Sequence, residues 1–193
     1  MRFGRRFLQL LAVAAAVSIA ATSCGGDDRD VGAWTADVCG SIGSWIRSIE
    51  AGAETLGREL EDVSPGDVRS VKEGATRFLD QTVEDTESLL EEVEDSGVPA
   101  VEGGDRVVET IEDGFGRILD SFEEAQERME DVPPDDAEAL ARAAEGVEGS
   151  LGQSGERIER FFEEASSEGL GGEELEQEFA RNEACSDLAQ LGV

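Results

Sequence analysis

The chain has 193 residues, 46 acidic and 16 basic, with a formal net charge of −30 and no histidine. That length fits one compact domain. The charge excludes a nucleic-acid partner, whose phosphates need a basic surface. The missing histidine excludes Ser-His-Asp and Cys-His catalytic sets and histidine-ligated metals.

Residues 1–23 read as a targeting signal. Arg2, Arg5 and Arg6 form a positive start, and Phe7 to Ala21 is an apolar run too short to span a membrane comfortably. Ala21-Thr22-Ser23-Cys24 resembles a bacterial lipobox, in which small residues precede a cysteine. The resemblance implies that the Cys24 thiol is acylated and the chain cut just before it. More than one fatty chain then satisfies the condition for stable membrane attachment. The expected location is the extracytoplasmic face of the cell membrane, or secretion if Cys24 is not acylated. Arg5-Arg6-Phe7-Leu8 also resembles a twin-arginine signal, one residue short in spacing, which leaves the export route open. Residues 24–30, with Gly25-Gly26-Asp27-Asp28, read as a flexible tether.

Residues 31–193 read as the folded domain. Without the signal, 170 residues remain, with 13 basic and 46 acidic groups and a net charge of −33. Leu, Ile, Val and Phe make up 38 of these 170, close to the limit of about 20% below which highly charged chains stay disordered. Composition leaves the question open, and pattern answers it. The first apolar series is Val31, Trp34, Val38, Ile42, Trp45, Ile49, Ala53, Leu56, Leu60, Val63. The second is Val68, Val71, Ala75, Phe78, Thr82, Thr86, Leu89, Val93. The third is Val101, Gly104, Val108, Ile111, Phe115, Ile118, Phe122, Ala125, Met129, Val132. The fourth is Ala137, Leu140, Ala144, Val147, Leu151, Ser154, Ile158, Phe161, Ala165. Steps of three and four place one stripe along each helix, as in a coiled-coil seam or a narrow bundle face.

Every proline (Pro65, Pro99, Pro133, Pro134) falls between these segments. Proline is tolerated in a first helical turn, and Ser64-Pro65-Gly66-Asp67 reads as an N-cap followed by a first-turn acid. The expected fold is all-α: an up-down-up-down bundle of four long helices, with a short fifth helix near Glu173 to Leu191. With Cys24 lipidated, Cys39 and Cys185 form an even pair in an oxidising compartment, and a disulfide is predicted. An even number of long passes returns the chain to the end where Cys39 lies.

The acid excess has three readings: a solvated face, adaptation to a saline exterior, or a divalent-cation site. Asp28-Arg29-Asp30-Val31-Gly32 is only a fragment of a calcium loop. Acids crowd the predicted helix C-termini at Glu91, Glu92, Glu94 and Asp95, at Glu127, Glu130 and Asp131, and at Glu163 and Glu164, where the helix dipole disfavours them. No phosphate loop is present, and the carboxylate di-iron motif needs histidine. Trp34 and Trp45 lie on the first stripe and read as core, with a ligand platform as the alternative. Gly146, Gly149, Gly152 and Gly155 recur every third residue and read as a tolerated weak stretch, a close helix approach or a hinge.

The signal with Cys24, Val38-Cys39-Gly40 on a Trp-bearing helix, the even helical segments and Ala184-Cys185-Ser186-Asp187-Leu188 together resemble a group of small secreted or lipid-anchored helical proteins of actinobacteria. That resemblance implies a bundle closed by its two end cysteines and no particular activity. The expectation is a binding or structural lipoprotein, not an enzyme, with no cofactor or metal. Its partners are the membrane, through the anchor, and a protein through the helix faces. One alternative is a carrier of a small apolar ligand in a cavity lined by Trp45, Phe115, Phe122 and Phe161. The other is a hydrolase using paired carboxylates with raised pKa values.

Overall fold

The structure, a computed structural model, describes residues 28–64, 67–147, 149, 152 and 171–190. It is mostly helical. The elements are β1 (Asp28–Arg29), α1 (Val31–Glu61), α2 (Val68–Asp95), β2 (Val98–Pro99) and α3 (Gly104–Glu130). There follow a helix over 137–147, called α4, then α5 (Gly172–Arg181) and α6 (Glu183–Gln190). No described helix is long and apolar enough to cross a membrane.

Helix α1 starts at Asp30, whose side chain accepts from the Ala33 amide at 3.0 Å. Its 31 residues extend about 46 Å. α2 runs back along α1, because late residues of one meet early residues of the other. Trp34 Nε1 donates to the Gly97 carbonyl at 2.8 Å, Trp45 Nε1 to Thr86 Oγ1 at 3.0 Å, and Arg77 pairs with Glu59 at 2.7 Å. α3 reverses again, with Gln126 Nε2 donating to Asp80 Oδ1 at 2.7 Å.

Two apolar clusters lie along these helices. The base cluster joins Trp34, Val38, Ile42 and Trp45 of α1 to Leu89, Val93, Ile111, Phe115 and Phe122, with Leu175 and Leu188 from the C-terminal helices. The tip cluster joins Phe78 and Leu79 to Ala125, Met129, Val132 and the start of α4, Leu140 and Ala143. α4 begins at Asp136, which accepts from the Ala139 amide at 2.9 Å.

Three expectations shift. The cap of α2 is Asp67, not Ser64: its carboxylate accepts from the Ser70 amide at 3.1 Å and the Ser70 hydroxyl at 2.9 Å. Those bonds, the amide first, hold the Asp67 carboxyl below its ordinary range. The expected fifth helix is two helices, broken at Asn182, whose backbone is extended (φ −76°, ψ 126°). Its amide oxygen accepts from the Ala184 N–H at 3.0 Å, so a side chain that competes with the backbone ends one helix and caps the next. Finally, the tether expected over 24–30 is fixed at its end. Asp28 and Arg29 pair in parallel with Val98 and Pro99, and Asp30 is the α1 cap.

That pairing crowds the start of α3. A Cβ on Gly104 would lie 2.3 Å from the Pro99 carbonyl oxygen. Gly114, mid-helix in α3, has no described atom within 4 Å of such an atom. Gly104→Ala is therefore expected to destabilise by about 1–3 kcal/mol, as overpacking does. Gly114→Ala should stabilise by up to about 1 kcal/mol through helix propensity. Denaturant midpoints of the two variants, moving in opposite directions, check the pair.

Candidate functional site

Three cysteines carry the sequence-derived site. Cys24 lies outside the described residues. Cys39 and Cys185 are bonded to each other, with Cα atoms 5.0 Å apart across 146 positions of sequence. Cys39 is fully buried and Cys185 half-buried. The bond fastens α6 to α1 at the base.

The chain also enters the fold at the base. Arg29 Nη1 pairs with Asp37 at 3.0 Å and donates to the Ser96 carbonyl at 3.3 Å, beyond the end of α2. The Ala100 amide donates to the Arg29 carbonyl at 2.9 Å. Residue 28 is four positions from Cys24, a reach of at most about 14 Å. An anchor at Cys24 would therefore hold the base, not the tip, against the bilayer.

Beside Arg29 an open cleft of about 590 Å³ runs between α1 and the end of α2, lined by Asp37, Ser41, Ser44, Arg47, Glu92 and Asp95. Its charges are mixed, and Arg29 is already paired. A second groove of about 320 Å³ opens between Gly52 and Leu56 of α1 and Gly74 and Phe78 of α2. The Arg77–Glu59 pair lies at this groove. Among the described residues no three Asp, Glu or Cys side chains converge as a metal site.

Both tryptophans are core. Trp34 is fully buried, with its ring edge-on to Phe179 at 6.4 Å, and Trp45 meets Phe115 edge-on at 5.3 Å. Phe122 is buried in the same cluster. Phe161, proposed with them as a cavity lining, lies outside the described residues. In the glycine series, Gly149 and Gly152 have no described atom within 4 Å of an added Cβ. Gly155, like Glu163 and Glu164, lies outside the described residues.

Sequence reasoning missed two cations that meet helix ends, Arg29 at the end of α2 and Lys72 at the end of α3. Lys72, the one lysine of the chain, donates to the Glu130 carbonyl at 2.7 Å and the Val132 carbonyl at 2.6 Å. It satisfies orphan acceptors at the end of α3, where Glu127, Glu130 and Asp131 crowd the negative pole. Lys72→Met is expected to cost about 1–2 kcal/mol, since bonds from a charged donor are lost. Chemical denaturation would measure the loss, and an unchanged midpoint would assign Lys72 no capping role. Spacing could not reveal this contact, which joins residues 58 and 60 positions apart. Comparison with protein-family models, curated proteins and solved structures found no match.

Proposed function

We propose that the protein is an extracytoplasmic lipoprotein, anchored through Cys24 and carrying a helical domain with a binding or structural role. The observation that carries this reading is the use of the cysteines. The disulfide takes two of the three, and the third directly follows an apolar signal-like run. The attachment of residues 28–30 at the base supports a domain held upright on a short anchor. The same reading fits the group of small lipid-anchored helical proteins that the sequence resembles.

We infer further that the domain is an up-down-up-down four-helix bundle. Helices α1 to α3 alternate in direction, α4 starts at the tip, and α5 packs at the base. Apart from residues 149 and 152, the expected fourth helix beyond residue 147 lies outside the described residues.

Metabolic labelling with an alkyne fatty acid, followed by membrane fractionation, tests the anchor. Wild type should take up label and sediment with membranes. Cys24→Ala should be unlabelled and leave the mature-sized membrane fraction. An unlabelled wild type would overturn the lipoprotein reading.

A further inference from the structure

The C-terminal pair α5–α6 rests chiefly on α1 among the described elements. Its footprint is a fully buried strip of α1. Phe179 meets Trp34 edge-on, and Leu188 Cδ2 lies 3.4 Å from where a Gly43 Cβ would stand. Cys185 Sγ lies 3.9 Å from the Thr35 carbonyl oxygen. Leu175 and Leu188 are buried within the base cluster.

Two features oppose this closure. The Thr35 hydroxyl, one turn before Cys39 on the same face, is fully buried with no hydrogen-bond partner among the described residues. A buried hydroxyl without a partner favours any state that lets water reach it. Charge is the second. Residues 171–190 carry six acids (Glu173, Glu174, Glu176, Glu178, Glu183, Asp187) against one base, Arg181. Arg181 pairs with Glu178 inside the same segment at 2.7 Å, so it offers α1 little attraction. The segment is therefore a net negative body docked on a strongly negative chain.

We propose that α5–α6 is a redox-gated cover: the Cys39–Cys185 bond holds it over the face of α1 that carries Trp34, Thr35, Cys39 and Gly43, and reduction releases it while α1, α2 and α3 stay folded. The reductant is a dithiol. One of its thiolates attacks Sγ of Cys185, the more exposed of the two cysteines, and Cys39 leaves as a thiolate that takes up a proton. The second thiol then attacks the mixed disulfide and frees Cys185. Two electrons and two protons end on the cysteines, and the dithiol becomes a cyclic disulfide. Opening gives water access to the Thr35 hydroxyl and bares the apolar strip. Because repulsion drives the opening, salt should oppose it.

The test uses the full chain, oxidised and reduced with dithiothreitol, in dilute and in molar sodium chloride. Native-state alkylation of Cys39 by an uncharged maleimide is read peptide by peptide, together with amide exchange. After reduction in dilute salt, Cys39 should alkylate at least about tenfold faster than in molar salt, and α5–α6 amides should lose protection while α2 and α3 keep theirs. A Cys39→Ser/Cys185→Ser double variant should show the same exchange pattern without reductant. Alkylation of Cys185 alone, with Cys39 still shielded, would overturn the proposal. So would loss of protection across all helices together, which would make the bond a support of the whole fold.

Discussion

Replacing Trp45 with alanine should lower the unfolding free energy by about 3–5 kcal/mol, the range for large buried aromatics. Trp45 is 5% exposed, touches Phe115 edge-on at 5.3 Å and donates to Thr86 Oγ1 at 3.0 Å. It thus joins three helices at one level of the bundle. Truncation removes the ring, its quadrupolar contact with Phe115 and the indole donor. Thr86 is not stranded, because its hydroxyl also donates to the Thr82 carbonyl at 2.7 Å. Trp45→Phe, which keeps an aromatic ring, should therefore cost clearly less than Trp45→Ala. Guanidinium titrations followed by far-UV circular dichroism separate the two, provided the slopes stay equal. An alanine cost under about 1 kcal/mol would favour the ligand-platform alternative for Trp45.

That Trp45 is core was legible from its step in the first stripe, and much of the fold follows the same signal. Trp34, Val38, Ile42, Phe78, Thr82, Thr86, Leu89, Val93, Ile111, Phe115, Ile118, Phe122, Ala125 and Met129 are all buried as the stripes required. The misses have a common geometry. A one-residue-wide seam assumes one neighbour, whereas a bundle helix with two neighbours buries a wider arc. Leu79 beside Phe78, Val107 beside Val108 and Ala143 beside Ala144 are the additions or replacements on those arcs. On α1 the seam runs out before the helix does: Leu60 is 37% exposed and Ala53 is exposed.

The disulfide was legible for a different reason. The expected compartment and parity left one pair, the expected even number of passes put both cysteines at one end, and the two are bonded. What stayed hidden depends on contacts between distant residues. Arg29 reaching Ser96, Lys72 reaching Val132 and the two-residue pairing of β1 with β2 leave no periodicity and no motif. Two local signals were available and misread. Asp67 competes with Ser64 as a cap, and the residue nearer the apolar series wins. Asn182 interrupts an otherwise continuous helical series because it caps the helix that follows.

Salt should have the broadest effect on the protein. Moving from about 0.1 M to about 1 M sodium chloride shortens the Debye length from about 10 Å to about 3 Å. With a formal net charge of −30, screening relieves self-repulsion in the compact state. The structure narrows where that relief concentrates. At the end of α3, Lys72 answers the acids, and Arg128 lies in the last turn. The end of α2 has Glu91, Glu92, Glu94 and Asp95, all exposed, and no basic residue in its last turn. Arg29 reaches the Ser96 carbonyl there but is itself paired with Asp37. Each acid at a helix C-terminus costs about 0.3–1 kcal/mol at low ionic strength. Four of them set a penalty of about 1–4 kcal/mol, which in a domain of this size is a melting shift of about 2–16 °C. Thermal melts of the oxidised protein across that salt range should rise accordingly. A Glu91→Gln/Glu94→Gln/Asp95→Asn variant should melt higher than wild type in dilute salt and rise less on adding salt. A flat wild-type curve would remove the saline reading of the acid excess. Equal slopes for variant and wild type would instead spread the repulsion over the whole surface and clear the end of α2 of any special part in it.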